Sequence, residues 1–150
     1  MAGILTSSPS GFALGALKLW RRREEVASPA HDESQRALVS AIDQAVEIAE
    51  RLTQQLRATP APSQPVANAA SICRWEIMVL RERVRMQPIN PRLETMQAKI
   101  LRHLDGAGAS AATLSRGYRF HDLDSICRGG EGLDDHVDTL GKIRTRLAGV

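Results

Sequence analysis

A long run of heptad-spaced apolar residues constrains the fold of this chain more than any other sequence feature. Ser28 and Pro29 form a typical helix start, with a capping side chain followed by an N1 proline. Beyond them, apolar residues recur at gaps of four and three, at Leu38, Ile42, Ala45, Ala49, Leu52 and Leu56. This spacing predicts one apolar face on a helix of about 27 residues, or ~40 Å, over residues 28–57. The neighbouring positions are apolar too, so the face is wider than a two-helix seam and predicts a bundle.

The middle of the chain is divided by prolines. Residues 58–66 contain three of them, which predicts a semi-rigid linker. A second helix is predicted from Asn68 to Gln87, because Cys73, Ile77, Leu80 and Val84 share one stripe. Trp75, Met78, Val79 and Met86 are interpreted as a broadening of that same apolar face.

Glycines punctuate the C-terminal half. A third helix is predicted to start at Asn90, followed by an N1 proline, and to end with Gly106 as its C′ residue. A further short helix is predicted from Ser110, and the GGEG stretch at 129–132 is interpreted as a loop. Residues 142–147 fit either a helix or a strand. Ile143 and Leu147 continue the helical spacing of the preceding apolar residues, whereas the alternation of basic and other side chains over 142–147 suits a strand.

Composition agrees with an all-α fold. The chain has 150 residues, and only 3 % of them are aromatic, so the core must be built from aliphatic side chains. We therefore predict a small bundle of four to five helices with a flexible N-terminal tail. The predicted division is a tail or short amphipathic segment at 1–27, the long helix at 28–57, the linker at 58–66 and a helical domain at 67–150.

Catalytic and metal-binding motifs are not found. The sequence contains no G-x-S-x-G, no Walker-type lysine and no H-E-x-x-H, and it has no C-x-x-C pair. His121, Cys127 and His136 match no known ligand spacing. Cys73 and Cys127 lie in apolar patterns and are predicted to be buried thiols of a cytoplasmic protein. The sequence thus predicts no enzyme, no cofactor and no small-molecule substrate.

Basic residues give the clearest functional signal, although the net charge is only +3. Three arginines of the second helix are spaced by seven and four residues and share a face that favours an acidic partner. That partner is either the first helix, through Glu47 or Glu50, or another protein. The leading hypothesis is a non-catalytic interaction or adaptor protein that binds a protein partner or a second copy. Its predicted partner surface comprises Arg74, Arg81, Arg85, Leu52 and Leu56.

Nucleic-acid binding is the first alternative. Residues 90–150 loosely look like a winged-helix domain, with a helix-turn-helix at 100–116 and a basic wing at 142–147. Asp122 and Asp124 depart from that pattern, because they lie where phosphate would be expected. The candidate DNA-binding residues are Arg116, Arg119, His121, Ser125, Lys142, Arg144 and Arg146.

A membrane tether is the second alternative. The apolar run within residues 11–23 has about ten residues, which is shorter than the ~20 that a spanning helix needs. Its positive charges follow the run, whereas a secretory signal carries them in front. Contact with a membrane surface is therefore the form this hypothesis takes. The residues concerned are Phe12, Leu17, Trp20, Arg21, Arg22 and Arg23.

Overall fold

A computed structural model describes residues 29–59 and 61–149, and these residues form four long α-helices. They are α1 (His31–Ala58), α2 (Gln64–Met86), α3 (Glu94–Phe120) and α4 (Leu123–Ala148), with a 3₁₀ turn at Pro91–Leu93 before α3. The all-α prediction is confirmed for this part of the chain. The predicted tail at 1–27 lies outside the described residues.

The helices run alternately up and down. α1 packs against α2 and α4, and α3 packs against the same two helices, so α1 and α3 lie diagonally across the bundle. Hydrogen bonds tie the start of α1 to the connection between α2 and α3 and to the end of α4. Asn90 donates from its backbone N to Ser34 Oγ at 2.8 Å and from Nδ2 to the Pro29 carbonyl at 3.0 Å. The Gln35 side chain donates to the carbonyl of Leu147.

One aliphatic core fills the space between the helices. The stripe predicted for the first helix is buried apart from Leu56, which is partly buried, and Ile42 is fully inaccessible to solvent. α3 and α4 contribute the matching residues from the opposite side. The largest fully buried apolar side chains are Leu38, Ile42, Ile77, Ile100, Leu104, Leu114, Leu140 and Leu147.

The start of α1 differs from its prediction. Its first helical residue is His31, and its N-cap is Ala30, which has no side-chain hydrogen bond to offer. Pro29 therefore precedes the helix and is not its N1 residue, and Ser28 lies outside the described residues. The negative charge of Asp32 and Glu33 in the first turn still favours the positive end of the helix dipole.

The linker is shorter than predicted. α2 begins at Gln64, because the Ser63 hydroxyl caps it and accepts from the backbone N of Val66 at 3.4 Å. Pro65 fits in this first turn, where its missing N–H has no helical partner to lose. The Asn90 side chain does act as a cap, since its Oδ1 accepts from Arg92 N at 3.1 Å, but it caps the 3₁₀ turn. The α-helix itself begins later than predicted, at Glu94.

The C-terminal half shows the largest differences. α3 runs without a break through Gly106 and Ser110 to Phe120, so the helix end and the helix start predicted there are both wrong. Residues 129–132 lie inside α4 and do not form a loop, and residues 142–147 are helical. Residues 61–149 contain no strand, so the wing of the winged-helix hypothesis is not formed there.

Close helix packing explains several of the glycines inside α3 and α4, although Gly130 and Gly141 face open space. A Cβ on Gly129 would lie 2.8 Å from the backbone N of Leu114, which shows that α4 approaches the α3 backbone directly. A glycine inside a helix costs about 1 kcal/mol in propensity, and at Gly129 the close contact offsets this cost. The true break lies at His121, whose left-handed φ of 54° ends α3, and Asp122 then caps α4.

Candidate docking surface

The predicted arginine face is largely occupied within the molecule. Arg81 Nε lies 2.9 Å from Asp105 Oδ1 on α3. The Arg85 guanidinium pairs with Glu82 on its own helix, and its hydrogen bonds lower the pKa of that carboxyl. Arg74 is exposed. The three arginines therefore do not act as one surface.

The ion pair between α1 and α2 has the opposite polarity to the one predicted. Arg51 of α1 donates to Glu76 of α2, with 3.0 Å between Nη2 and Oε2. Neither Glu47 nor Glu50 forms this bridge. Both are exposed on the solvent side of α1.

The two leucines of the predicted partner surface face inward. Leu52 is only 2 % exposed and belongs to the core, so it is a packing residue and not part of an accessible surface. Leu56 is partly buried against that core. A charged substitution at Leu52 would consequently unfold the bundle before it reported on any partner.

α2 instead exposes a second apolar face that the sequence analysis missed. Ile72, Trp75, Val79 and Met86 are 59 %, 67 %, 37 % and 66 % exposed, respectively, and we call this set the α2 stripe. Their gaps of three, four and seven return to one side of the helix. The adjacent Met78 lies toward α3, where a Cβ on Gly108 would come 3.0 Å from its sulfur.

The α2 stripe lies opposite the buried face of the same helix. Cys73, Ile77, Leu80 and Val84 are all in the core, as predicted. The prediction that Trp75, Met78, Val79 and Met86 broaden this core face is wrong. The sequence does contain a signal that could have separated the two faces. The core residues and the α2 stripe each follow helical spacing within their own set, but the two sets lie on opposite sides of the helix.

A groove between α1 and α2 follows the α2 stripe. One section of about 290 Å³ is lined by Trp75, Val79 and Arg83 of α2 and by Ile48 and polar residues of α1. A second section of about 490 Å³ lies nearer the α1–α2 connection and includes Ile72. The Arg51 and Glu76 side chains line both sections. This side of the bundle is thus concave and partly apolar.

The candidate DNA-binding residues do not converge. Arg116, Arg119, His121 and Ser125 lie at the α3–α4 turn, whereas Lys142 begins the second group about 26 Å further along α4, at 1.5 Å per residue.

The second group is also engaged in ion pairs. Arg144 Nε donates to Asp43 Oδ1 at 2.6 Å, which raises the pKa of the arginine, and Lys142 Nζ lies 3.4 Å from Asp138. Arg146 is exposed. No continuous basic surface joins the two groups within residues 61–149.

The membrane hypothesis concerns residues outside the described part. The first residue that the structure describes is Pro29. All the residues of this hypothesis precede it, namely Phe12, Leu17, Trp20 and the three arginines that follow. In the part of the chain that the structure describes, none of the helices combines the length and the apolar character needed to cross a bilayer.

The two cysteines differ in environment. Cys73 is buried, and burial, reinforced by the nearby Glu76 carboxylate, raises the pKa of its thiol to about 12. Cys127 is exposed, so the prediction that both thiols are buried is wrong. Among residues 29–59 and 61–149, no group of three or more His, Cys, Asp and Glu side chains is arranged to hold a metal.

This difference predicts selective thiol labelling. At pH 8 a disulfide reagent such as Ellman's reagent should modify one thiol per folded chain rapidly, and two after unfolding, because only a thiolate reacts. Cys127→Ser should abolish the rapid phase, whereas Cys73→Ser should leave it intact. Two rapid equivalents in the folded wild type would contradict the burial of Cys73.

Comparisons with known proteins give no further guide. No family model, curated protein or solved structure matches the sequence. The function must therefore be argued from the surface itself.

Proposed function

We propose that this chain is a non-catalytic interaction protein that associates through the α2 stripe, and that the partner this surface fits is a second copy of the chain. The observation that carries the proposal is the exposure of Ile72, Trp75 and Met86 along one helix face. Contiguous exposed apolar patches are uncommon on monomeric proteins and mark sites of association.

The residue types on the α2 stripe suit an interface. Tryptophan and methionine are enriched at protein interfaces, and tryptophan is a frequent energetic anchor. An apolar face at spacings of three, four and seven is the pattern by which one helix packs against another. The stripe therefore favours a helical partner.

The order of residues along the stripe is self-complementary. If two α2 helices pack antiparallel about a two-fold axis at Val79, Ile72 of one copy lies opposite Met86 of the other. In the same register Trp75 lies opposite Arg83, which allows a cation–π contact. An isologous interface requires this kind of palindromic match, since both copies present the same patch.

The charges near the axis are compatible with this arrangement. The same register places Glu76 of one copy opposite Glu82 of the other. Each of these carboxylates already has an arginine partner within its own chain, Arg51 for Glu76 and Arg85 for Glu82. Their mutual repulsion is thereby reduced.

Sedimentation of the full chain tests the proposal. The wild type should sediment as a dimer at micromolar concentration, and Val79→Asp should raise the dimer dissociation constant at least about 100-fold. The reason is that two carboxylates then meet on the axis, and like charges brought together at an interface cost several kcal/mol. Leu123→Asp is the matched control, because Leu123 is 69 % exposed but lies at the α3–α4 turn.

Cysteine cross-linking in a Cys127→Ser background tests the register. A mixture of Ile72→Cys and Met86→Cys chains should form the mixed disulfide in preference to either homodimer. A dimer with a net association free energy of only ~5.5 kcal/mol would already contain half of the chains at about 100 μM. A wild type that stays monomeric at this concentration therefore contradicts the proposal. So does a dimer that Val79→Asp leaves unchanged.

A further inference from the structure

Two histidines meet between α3 and α4. The Nδ1 atoms of His103 and His136 lie 3.1 Å apart, with ring centroids 5.3 Å apart. Both side chains are partly buried, so the pair keeps an open side toward solvent.

The glycine opposite this pair makes room for it. A Cβ on Gly106 would overlap the imidazole ring of His136. The glycine stands in the middle of α3, where alanine would be favoured by about 1 kcal/mol. The local structure is thus shaped around the imidazole, and the fold holds the two rings on rigid helices.

The separation of the two nitrogens fits one shared cation. Metal–nitrogen bonds to histidine are about 2.0–2.1 Å long, which places two ligand nitrogens about 2.9 Å apart at a right angle and about 3.3–3.4 Å apart at a tetrahedral angle. The observed 3.1 Å lies between these values. The same distance also accommodates one proton shared between the two rings.

Both rings are of a ligand type that suits such a cation. Imidazole coordinates a metal through either Nδ1 or Nε2, and the two Nδ1 atoms are the ones that face each other here.

We propose that His103 and His136 form a two-histidine chelate for a divalent transition metal of the Ni²⁺ or Zn²⁺ class, with water completing the coordination. Imidazole ligands favour these ions over Mg²⁺ and Ca²⁺, which prefer oxygen. The site is independent of the α2 stripe, because it lies on the other pair of helices.

Calorimetric titration of the untagged full chain with NiCl₂ and with ZnCl₂ at pH 7.5 tests this site. The wild type should bind one equivalent, and His103→Gln and His136→Gln should each weaken binding about tenfold or more, as loss of a chelating group does. His121→Asn is the matched control, because asparagine tolerates the left-handed backbone at that position. It should bind as the wild type does.

Imidazole NMR on the wild type keeps the test decisive if a variant fails to fold. Ni²⁺ should broaden the resonances of His103 and His136 while His31 and His121 stay sharp. The proposal is overturned if the wild type does not bind either ion, if either glutamine variant binds as tightly as the wild type, or if the broadening appears at other histidines.

Discussion

Changing Gly129 to alanine should destabilise the protein, whereas the same change at Gly141 should stabilise it. A Cβ on Gly129 would lie 2.8 Å from the Leu114 backbone N and 2.9 Å from the Ser110 carbonyl oxygen. Backbone atoms cannot swing aside as a side chain does, so α3 and α4 would have to separate. Gly141 lies in the same helix, and nothing lies within 4 Å of the position its Cβ would take.

The expected changes have opposite signs. Overpacking costs about 1–3 kcal/mol, which outweighs the gain of about 1 kcal/mol in helix propensity at Gly129. Gly141→Ala keeps that gain without the cost. Urea denaturation followed by circular dichroism should therefore show a lower midpoint for Gly129→Ala and a higher one for Gly141→Ala. Equal shifts in one direction would show that propensity alone decides, and that the close α3–α4 contact is not made.

These glycines also show where sequence reasoning fails for this chain. Gly106 and residues 129–132 were expected to end helices, because glycine is the usual residue past a helix end. That expectation uses only local preference. The deciding fact is the approach of a partner helix that is distant in sequence, such as His136 over Gly106. A single sequence does not state which helix packs on which.

α1 could be predicted because its own pattern is sufficient. Its apolar positions keep one strict register, and its opposite face is polar, so the buried side of the helix is unambiguous. α2 carries apolar residues on two faces, and periodicity alone cannot say which face meets the core. The core register was identified correctly through Cys73 and Ile77, but the residues of the exposed stripe were added to it. The candidate docking surface was missed for this reason.

The ion pairs between helices could not be predicted from the sequence alone either. The sequence predicts an acidic partner for Arg81 on the first helix or on another protein, but Arg81 meets Asp105 of α3. The register of α2 against α3 decides this contact, and that register follows from how their small residues interlock. Ser71 Oγ lies 2.6 Å from Ser115 Oγ, and the Ser115 hydroxyl donates to the Ala67 carbonyl at 2.9 Å. These contacts bring the two helices close together.

Truncating Leu104 to alanine should cost more stability than any surface change. Leu104 is 0 % exposed, on the side of α3 that faces the centre of the bundle. Removing its buried methyl groups loses transfer free energy and leaves a cavity, for an expected loss of about 2–5 kcal/mol. At roughly 2–4 °C per kcal/mol for a chain of this size, the melting temperature should fall by about 4–20 °C.

The matched control for Leu104 is the same truncation at an exposed leucine. Leu123 is 69 % exposed in the first turn of α4, so Leu123→Ala should change the stability by no more than about 0.5 kcal/mol. The contrast tests the placement of the core, because the two residues are chemically identical and differ only in burial. Similar losses at the two positions would mean that α3 and α4 do not present these faces as described. A small loss at Leu104 alone would mean that the bundle centre is loosely packed. A loosely packed bundle would also accommodate a Cβ at Gly129 without the expected loss of stability.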